Sequence, residues 1–349
     1  MEKKNAQEML DKLSYKKKNV YEVSSAEEIK QIYEYSKGYM KFLDEAKTER
    51  EATVASIAMI EKQGYTEYKF GDKLSVGDKK YYNNNGKSLV IFKIGEENIE
   101  ENGIRILASH IDSPRIDLKQ VPLYEDSGMG FLKTHYYGGV KKYQWTAIPL
   151  ALHGVMVKAD GEVVEVKIGE DENDPIFYIN DLLPHLAQRQ SQEPLGTAIA
   201  GETLNILVGG LPYDCEDVSD KIKLTVLSML NDKYGVTEED FLSAELSLVP
   251  AFKARDIGFD RALIGAYGHD DRVCSYPAVT ALLDNPDSKH TVMVVLADKE
   301  EIGSVGLTGM QSDVLVDIIS MISTSLEADS IIVRSKSKCL SADVNAAYR

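Results

Sequence analysis

Residues 291–304 read "TVMVVLADKEEIGS". The apolar run from Val294 to Ala297 reads as the buried end of a strand, "TVMVVLA" (291–297), rich in β-branched residues. It breaks into a charged turn with two adjacent glutamates, Glu300 and Glu301. Like charges side by side repel, and the nearby Lys299 can offset only one of them. In a continued strand the two side chains would point to opposite faces. Leaving the strand frees both to approach one cleft.

Other strands carry the same signature. "IRILASH" (104–110) ends on His110, with Asp112 two residues on, and "KCLSADV" (338–344) presents Asp343. "AYGHDDRVCSY" (266–276) puts Asp270 and Asp271 just before a helix. Alone, each has a bland reading: a structural His-x-Asp, an acidic helix cap, a solvated glutamate pair. Together they form a set. In open α/β sheets, sites gather beyond the carboxyl ends of strands. Several carboxylates in one cleft repel unless cations neutralise them, and a mixed His and carboxylate set suits two zinc, cobalt or manganese ions.

The rest of the chain frames this set. Residues 25–46 predict a helix opened by a Ser25/Glu28 capping box, and a second helix runs to about Gln63 with Gly64 after it. "KSLVIFKIG" (87–95) is a further strand. From 119 to 249 the texture is mostly β, including a hairpin at 151–169 around Asp160-Gly161 and one short helix near 219–232. The α/β texture then returns, with helices over about 278–283 and 310–327, the second with Val314, Leu315, Ile318, Ile319, Ile322 and Leu326 on its expected buried face. The expected fold is α/β: a mixed sheet flanked by helices, with an inserted mostly-β domain. The expected domains are 1–118 with 250–349, and the insertion 119–249.

Composition narrows the function classes. The chain has 349 residues and 56 acidic against 40 basic side chains, a formal charge of −16. Such a surface repels phosphate backbones and anionic lipid, so nucleic-acid and membrane partners are not expected. Three scattered cysteines, Cys215, Cys274 and Cys339, make no disulfide framework, and the first residues, "MEKKNAQEML", have no apolar signal core. A cytoplasmic protein is expected.

The motifs "SHIDSPR", "YGHDDRVC", "DKEEIGS" and "SADVNAA" occur in the order of those of the aspartyl-aminopeptidase family of dimetal aminopeptidases, and the chain resembles its bacterial branch. The resemblance implies a zinc-exopeptidase-like catalytic domain, an inserted oligomerisation domain, two divalent ions, and removal of N-terminal residues from peptides by a metal-activated water. It implies His110 and Asp343 as ligands of one ion and Asp270 as the bridge, with Asp271 the weaker alternative. Glu301 would bind the second ion, Glu300 would be the general base, and Asp112 would orient His110. It also implies a homo-oligomer, a dodecamer in relatives, in which His185 of "LLPHLAQRQ" would reach substrate across subunits; Arg189 is a second basic candidate there. Relatives continue past "SAD" and supply a late His to the second ion, which none of His135, His153, His269 or His290 matches by motif. Two alternatives stay open: another dimetal amide hydrolase such as a deacylase, or an inactive assembly protein.

Overall fold

The computed structural model describes residues 3–345, so Ala346 and Ala347 of the "SADVNAA" motif lie outside the described residues. The opening stretch forms strand β13 of a six-stranded mixed sheet. Its members are β1 (Thr66–Glu67), β2 (Lys79–Asn84), β3 (Ser88–Lys93), β4 (Arg105–His110), β13 (Val292–Ala297) and β14 (Lys338–Ser341), in the order β1-β2-β3-β13-β4-β14. Strands β13 and β14 both run parallel to β4. Ala297 lies opposite His110, and Ser341 opposite Ala108. Three carboxyl ends therefore lie side by side, and the chain leaves them toward Asp112, Glu300 and Asp343.

Between β4 and β13 the chain builds a second sheet from β5 (Arg115–Asp126), β6 (Met129–Tyr137), β7 (Leu150–Val157), β8 (Val163–Ile168), β9 (Ile206–Gly209) and β10 (Glu245–Pro250). Its order is β8-β7-β10-β5-β6-β9, antiparallel throughout. A small hairpin of β11 (Arg255–Ile257) and β12 (Leu263–Gly265) follows.

Helices α1 (Lys3–Leu13) and α2 (Val20–Val23) precede α3 (Ala26–Glu45), whose start carries the expected reciprocal bonds between Ser25 and Glu28. Helix α4 (Glu49–Glu61) opens on a second capping box, Thr48 with Glu51, and Gly64 beyond it has φ +84°. Helix α5 (Ile99–Asn102) is one turn, and α6 (Lys221–Tyr234) crosses the second sheet's strands β5, β6 and β9. Helix α7 (His269–Leu283) begins earlier than the sequence suggested, but Asp270 and Asp271 inside it have non-helical backbone, and the peptide between them is cis. Helices α8 (Val314–Ser325) and α9 (Ser330–Lys336) complete the set. The expected apolar face of α8 is present: Ile318, Ile319 and Ile322 are buried against Phe92, Ile106 and Val295. Truncating the fully buried Ile318 to Ala would cost about 2–5 kcal/mol. The described chain falls into two compact units, 1–41 and 42–349. Among the described residues no helix is long and apolar enough to cross a membrane.

Within the larger unit a buried polar cluster ties α4 to the second sheet. His153 of β7 is held between Glu51 (Nδ1 to Oε1, 3.0 Å) and Glu170 (Nε2 to Oε1, 3.1 Å). Lys167 donates to Glu51, and Lys47 and Lys253 donate to Glu170. Burial would raise Glu51, but His153 and Lys167 outweigh it and hold the carboxyl down at about 2. Burial would lower His153, but Glu170 and Glu51 outweigh it and hold the imidazole above 6.5. The Glu51 contribution is therefore present above 4.5 and lost as pH falls toward 2. The His153 contribution is present below 6.5 and lost as pH rises through its raised value. In urea titrations, His153→Gln is expected to lose about 3 kcal/mol at pH 6, as for a broken buried pair. The gap to the parent protein should narrow at alkaline pH; a gap independent of pH would show that the His153 charge is not what is lost.

Candidate metal centre

The site begins with one buried carboxylate. Asp112 is fully buried, just past the end of β4. Its Oδ1 accepts the backbone N–H of Glu300 and its Oδ2 that of Glu301, both at 3.1 Å. Oδ1 also lies 3.3 Å from His110 Nδ1, and the Asp112 main-chain carbonyl lies 3.0 Å from the same nitrogen. Two acceptors at Nδ1 keep a proton there, so Nε2, which faces Asp270 at 3.0 Å, is the nitrogen that can turn to a metal once it sheds its own proton.

The glutamate turn explains the opening sequence. Lys299 takes φ +67° and Gly303 φ +94°, bracketing a single 3₁₀ turn at Glu300–Ile302. That turn brings both carboxylates onto the side where β4 and β14 end. Glu301 packs against Gly138: a Cβ there would sit 3.0 Å from Glu301 Oε2, and Gly138 has φ +71°. Both space and backbone exclude a larger residue.

Around His110 Nε2 stand Asp270 Oδ1 at 3.0 Å, Glu300 Oε2 at 3.8 Å and Asp343 Oδ1 at 3.8 Å. Two ligands of one tetrahedral zinc, each about 2.0–2.2 Å from it, are separated by roughly 3.3–3.5 Å, and the Asp270 and Asp343 spacings lie on either side of that value, so small movements would let them share one ion with His110. Donor atoms of His110, Asp271 and Asp343 also lie within 4.8 Å of one another. Asp270 is steadied from behind. The Ser113 hydroxyl donates to the Asp270 carbonyl, and the buried Arg272 donates to Ser113 and to the Ala46 carbonyl.

Asp271 tests whether the residues fit a cation. It is fully buried, yet neither carboxylate oxygen has a hydrogen bond of good geometry among the described residues; the Cys274 thiol and the His110 backbone N–H lie alongside and fall short of one. A buried, unsatisfied carboxylate is costly unless a cation meets it. Burial pushes Asp271 up to about 6. Burial and then the charges of Asp270 and Asp112 push Glu301 up to about 7. For His110, burial works downward, but the bond and charge of Asp112 and the charges of Asp271 and Asp270 carry it up to about 9. An acidic cluster this crowded, gathered around one imidazole nitrogen, has the donor chemistry of a zinc site.

The structure thus brings His110, Asp112, Asp270, Asp271, Glu300, Glu301 and Asp343 together from four separated segments. His185 and Arg189 are exposed on the 181–189 loop. The other histidines have partners elsewhere: His269 Nε2 bonds the Ile264 carbonyl, His290 pairs with Glu97, and His153 belongs to the buried cluster. His135 lines a cavity of about 330 Å³ beside the site, with Arg115, Tyr137, Lys299 and Ile302. The ligand candidates do not line this cavity; Tyr137 and Lys299 form the shared wall. Sequence reading missed Tyr137 and Gly138, both of the second sheet's β6 end. Strict alternation from Leu132 and Thr134 would bury Tyr136, but the pattern slips there: Tyr136 is exposed and Tyr137 buried. The signal available was the "YGG" after the strand.

The family model for aminopeptidase I zinc metalloproteases (M18) matches residues 42–349. The chain is 45% identical over 339 residues to a probable M18 family aminopeptidase 1 of Clostridium acetobutylicum, covering 95% of this chain and 73% of that protein. It superposes on the crystal structure of aminopeptidase I from Clostridium acetobutylicum with TM-score 0.88 and 41% identity, covering 97% of this chain and 74% of the other. It shares its fold with the S. cerevisiae mApe1 dodecamer at TM-score 0.73 and 23% identity, covering 91% of this chain and 73% of that one.

Zinc uptake should depend on pH with a definite sign. His110, near 9, and Glu301, near 7, must shed protons before they can bind an ion. The apparent zinc affinity of the metal-stripped protein is therefore expected to rise roughly tenfold or more per unit from pH 6 to 8. A flat affinity in chelator-competition titrations would remove these two groups from the ligand set.

Proposed function

The chain belongs to the M18 family of zinc aminopeptidases, and on that premise we propose how its own residues divide the work of removing N-terminal residues from peptides. His110 and Asp343 would hold one ion and Glu301 a second, with Asp270 the ligand common to both and the buried Asp271 beside His110 and Asp343. Bound zinc supplies Lewis-acid polarisation of the scissile carbonyl and offsets the repulsion among the carboxylates. Glu300 stays off the ions, takes a proton from the attacking water and returns it to the leaving amine. Asp112 keeps the His110 ring in the tautomer that exposes Nε2.

The observation that supports this reading is the convergence of Asp270, Glu300 and Asp343 on His110 Nε2 at 3.0–3.8 Å. The adjoining 330 Å³ cavity offers room for one terminal residue of a peptide. Residues 119–249 form an inserted oligomerisation domain, and 1–118 with 250–349 carry catalysis. In support, six antiparallel strands spanning Arg115 to Pro250 form a sheet of their own, and the 181–189 loop leaves Leu182, Leu183 and Leu186 exposed. The yeast protein of this fold is a dodecamer; here too copies assemble, and His185 on that loop contacts substrate in a neighbouring copy. Three free cysteines suit a reducing cytoplasm.

Glu300→Gln is expected to keep its metal, read by elemental analysis, while turnover falls roughly 10²–10⁴-fold. Unchanged hydrolysis would sink the assignment of the base. Chelation should abolish activity, and zinc, cobalt or manganese should restore it. Peptides with free N-termini should be cleaved and their acetylated counterparts left intact; the reverse preference would indicate a deacylase.

A further inference from the structure

The Asp112 carboxylate has a fourth protein partner, which comes from the second sheet. The Tyr137 hydroxyl donates to Asp112 Oδ2 at 2.7 Å. It is the shortest of the contacts that hold this carboxylate. Burial, and then the Asp112 charge, push the phenol far above its usual range, so it stays protonated and can only serve Asp112 as a donor.

The ring that carries this hydroxyl is itself fixed. Arg115 on β5 lies directly across from Tyr137 on β6, and its guanidinium sits 4.0 Å from the ring centroid. Arg115 in turn is held by Glu49 Oε2 at 3.0 Å, Asp117 Oδ1 at 2.7 Å and Ser247 Oγ at 3.1 Å. Glu49 belongs to α4, and Ser247 to β10. A buried cation stacked on an aromatic face and gripped by two carboxylates has little freedom to move. The next residue after Tyr137 is Gly138, against which Glu301 packs.

We infer that Tyr137 is a positioning residue for the metal centre: its hydroxyl fixes the Asp112 carboxylate, and so sets the His110 ring and the Glu300–Glu301 turn from outside the sheet that bears them. The inference rests on the metal-centre reading proposed above. Without the hydroxyl, Oδ2 keeps only the Glu301 amide. The carboxylate can then rotate, and both the imidazole and the turn lose a fixed anchor. Residues that hold a ligand in place typically contribute 10–100-fold in metal affinity or activity when removed.

Tyr137→Phe removes the hydroxyl and keeps the ring on which Arg115 stacks. The full-length variant is compared with wild type in three measurements: zinc affinity by chelator competition, thermal midpoint of the metal-stripped protein, and kcat and KM on a free-amine peptide. Tyr136→Phe makes the same chemical change one residue earlier, on an exposed side chain, and serves as the control. The expected result is zinc affinity lower by about 10–100-fold in Tyr137→Phe, kcat lowered with KM little changed, a metal-free midpoint only a few degrees below wild type, the cost of one lost donor to a buried charge, and an unaffected control. Wild-type zinc affinity and kcat in Tyr137→Phe would overturn the inference. So would a loss of zinc matched by an equal collapse of the metal-free midpoint, which marks a purely structural tyrosine, or an equal loss in the control. Failure of the underlying metal-centre reading shows separately, as a wild-type chain that takes up no zinc, and it removes the inference with it.

Discussion

One buried carboxylate organises the centre. Asp112 has no contact with water, so its charge must be met by donors from the protein. The donors that meet it are the groups whose placement the chemistry needs: the amides of Glu300 and Glu301, the imidazole of His110 and the hydroxyl of Tyr137. Satisfying one buried charge thus fixes an imidazole and a glutamate turn at once, the groups to which the proposed function gives the roles of ligand and proton carrier. An Asp here cannot be exchanged for an apolar residue of similar size without leaving two amides of the glutamate turn unpaired.

That carboxylate acts on a frame set by strand direction. Parallel pairing of β13 and β14 with β4, in a register that puts Ala297 beside His110, brings three strand exits to one edge. Apolar packing below, with Ile318 and Ile322 of α8 against Val295 and Ile106, keeps that register. Repulsion among Asp270, Asp271, Glu301 and Asp343 is then the cost of the arrangement. Burial adds to that cost and is the larger cause of the upward displacement of Asp271; for Glu301 burial comes first, and the charges of Asp270 and Asp112 follow.

Much of this was legible in the sequence because it is local. An apolar run followed by an acidic turn, a His two residues before an Asp, and an Asp-Asp pair ahead of a helix are short patterns with direct physical meaning. The α/β character of the segments around β4 and β13 followed from periodicity, as did the apolar face of α8. What was not legible depends on pairs distant in sequence. Tyr137 meets Asp112 only because β6 lies against β5, with an irregularity between Leu118 and Leu123 that no local rule specifies. The slip that buries Tyr137 in place of Tyr136 is likewise a property of the folded sheet. The unsatisfied state of Asp271 could be read only from its surroundings, since an Asp-Asp pair before a helix has an ordinary role as a cap.

Among the described strands β14 is an edge: it pairs with β4 alone, and its four residues are all exposed. Asp343 follows two residues beyond it, so a donor for the centre hangs from one of the less supported strands of the sheet. Whatever draws Asp343 inward also seats β14 against β4, and whatever seats β14 preorganises Asp343. By reciprocity the two free energies are shared. Among the described residues the centre and β14 therefore form one cooperative unit, in which an ion held by Asp343 would act as a clasp on that strand.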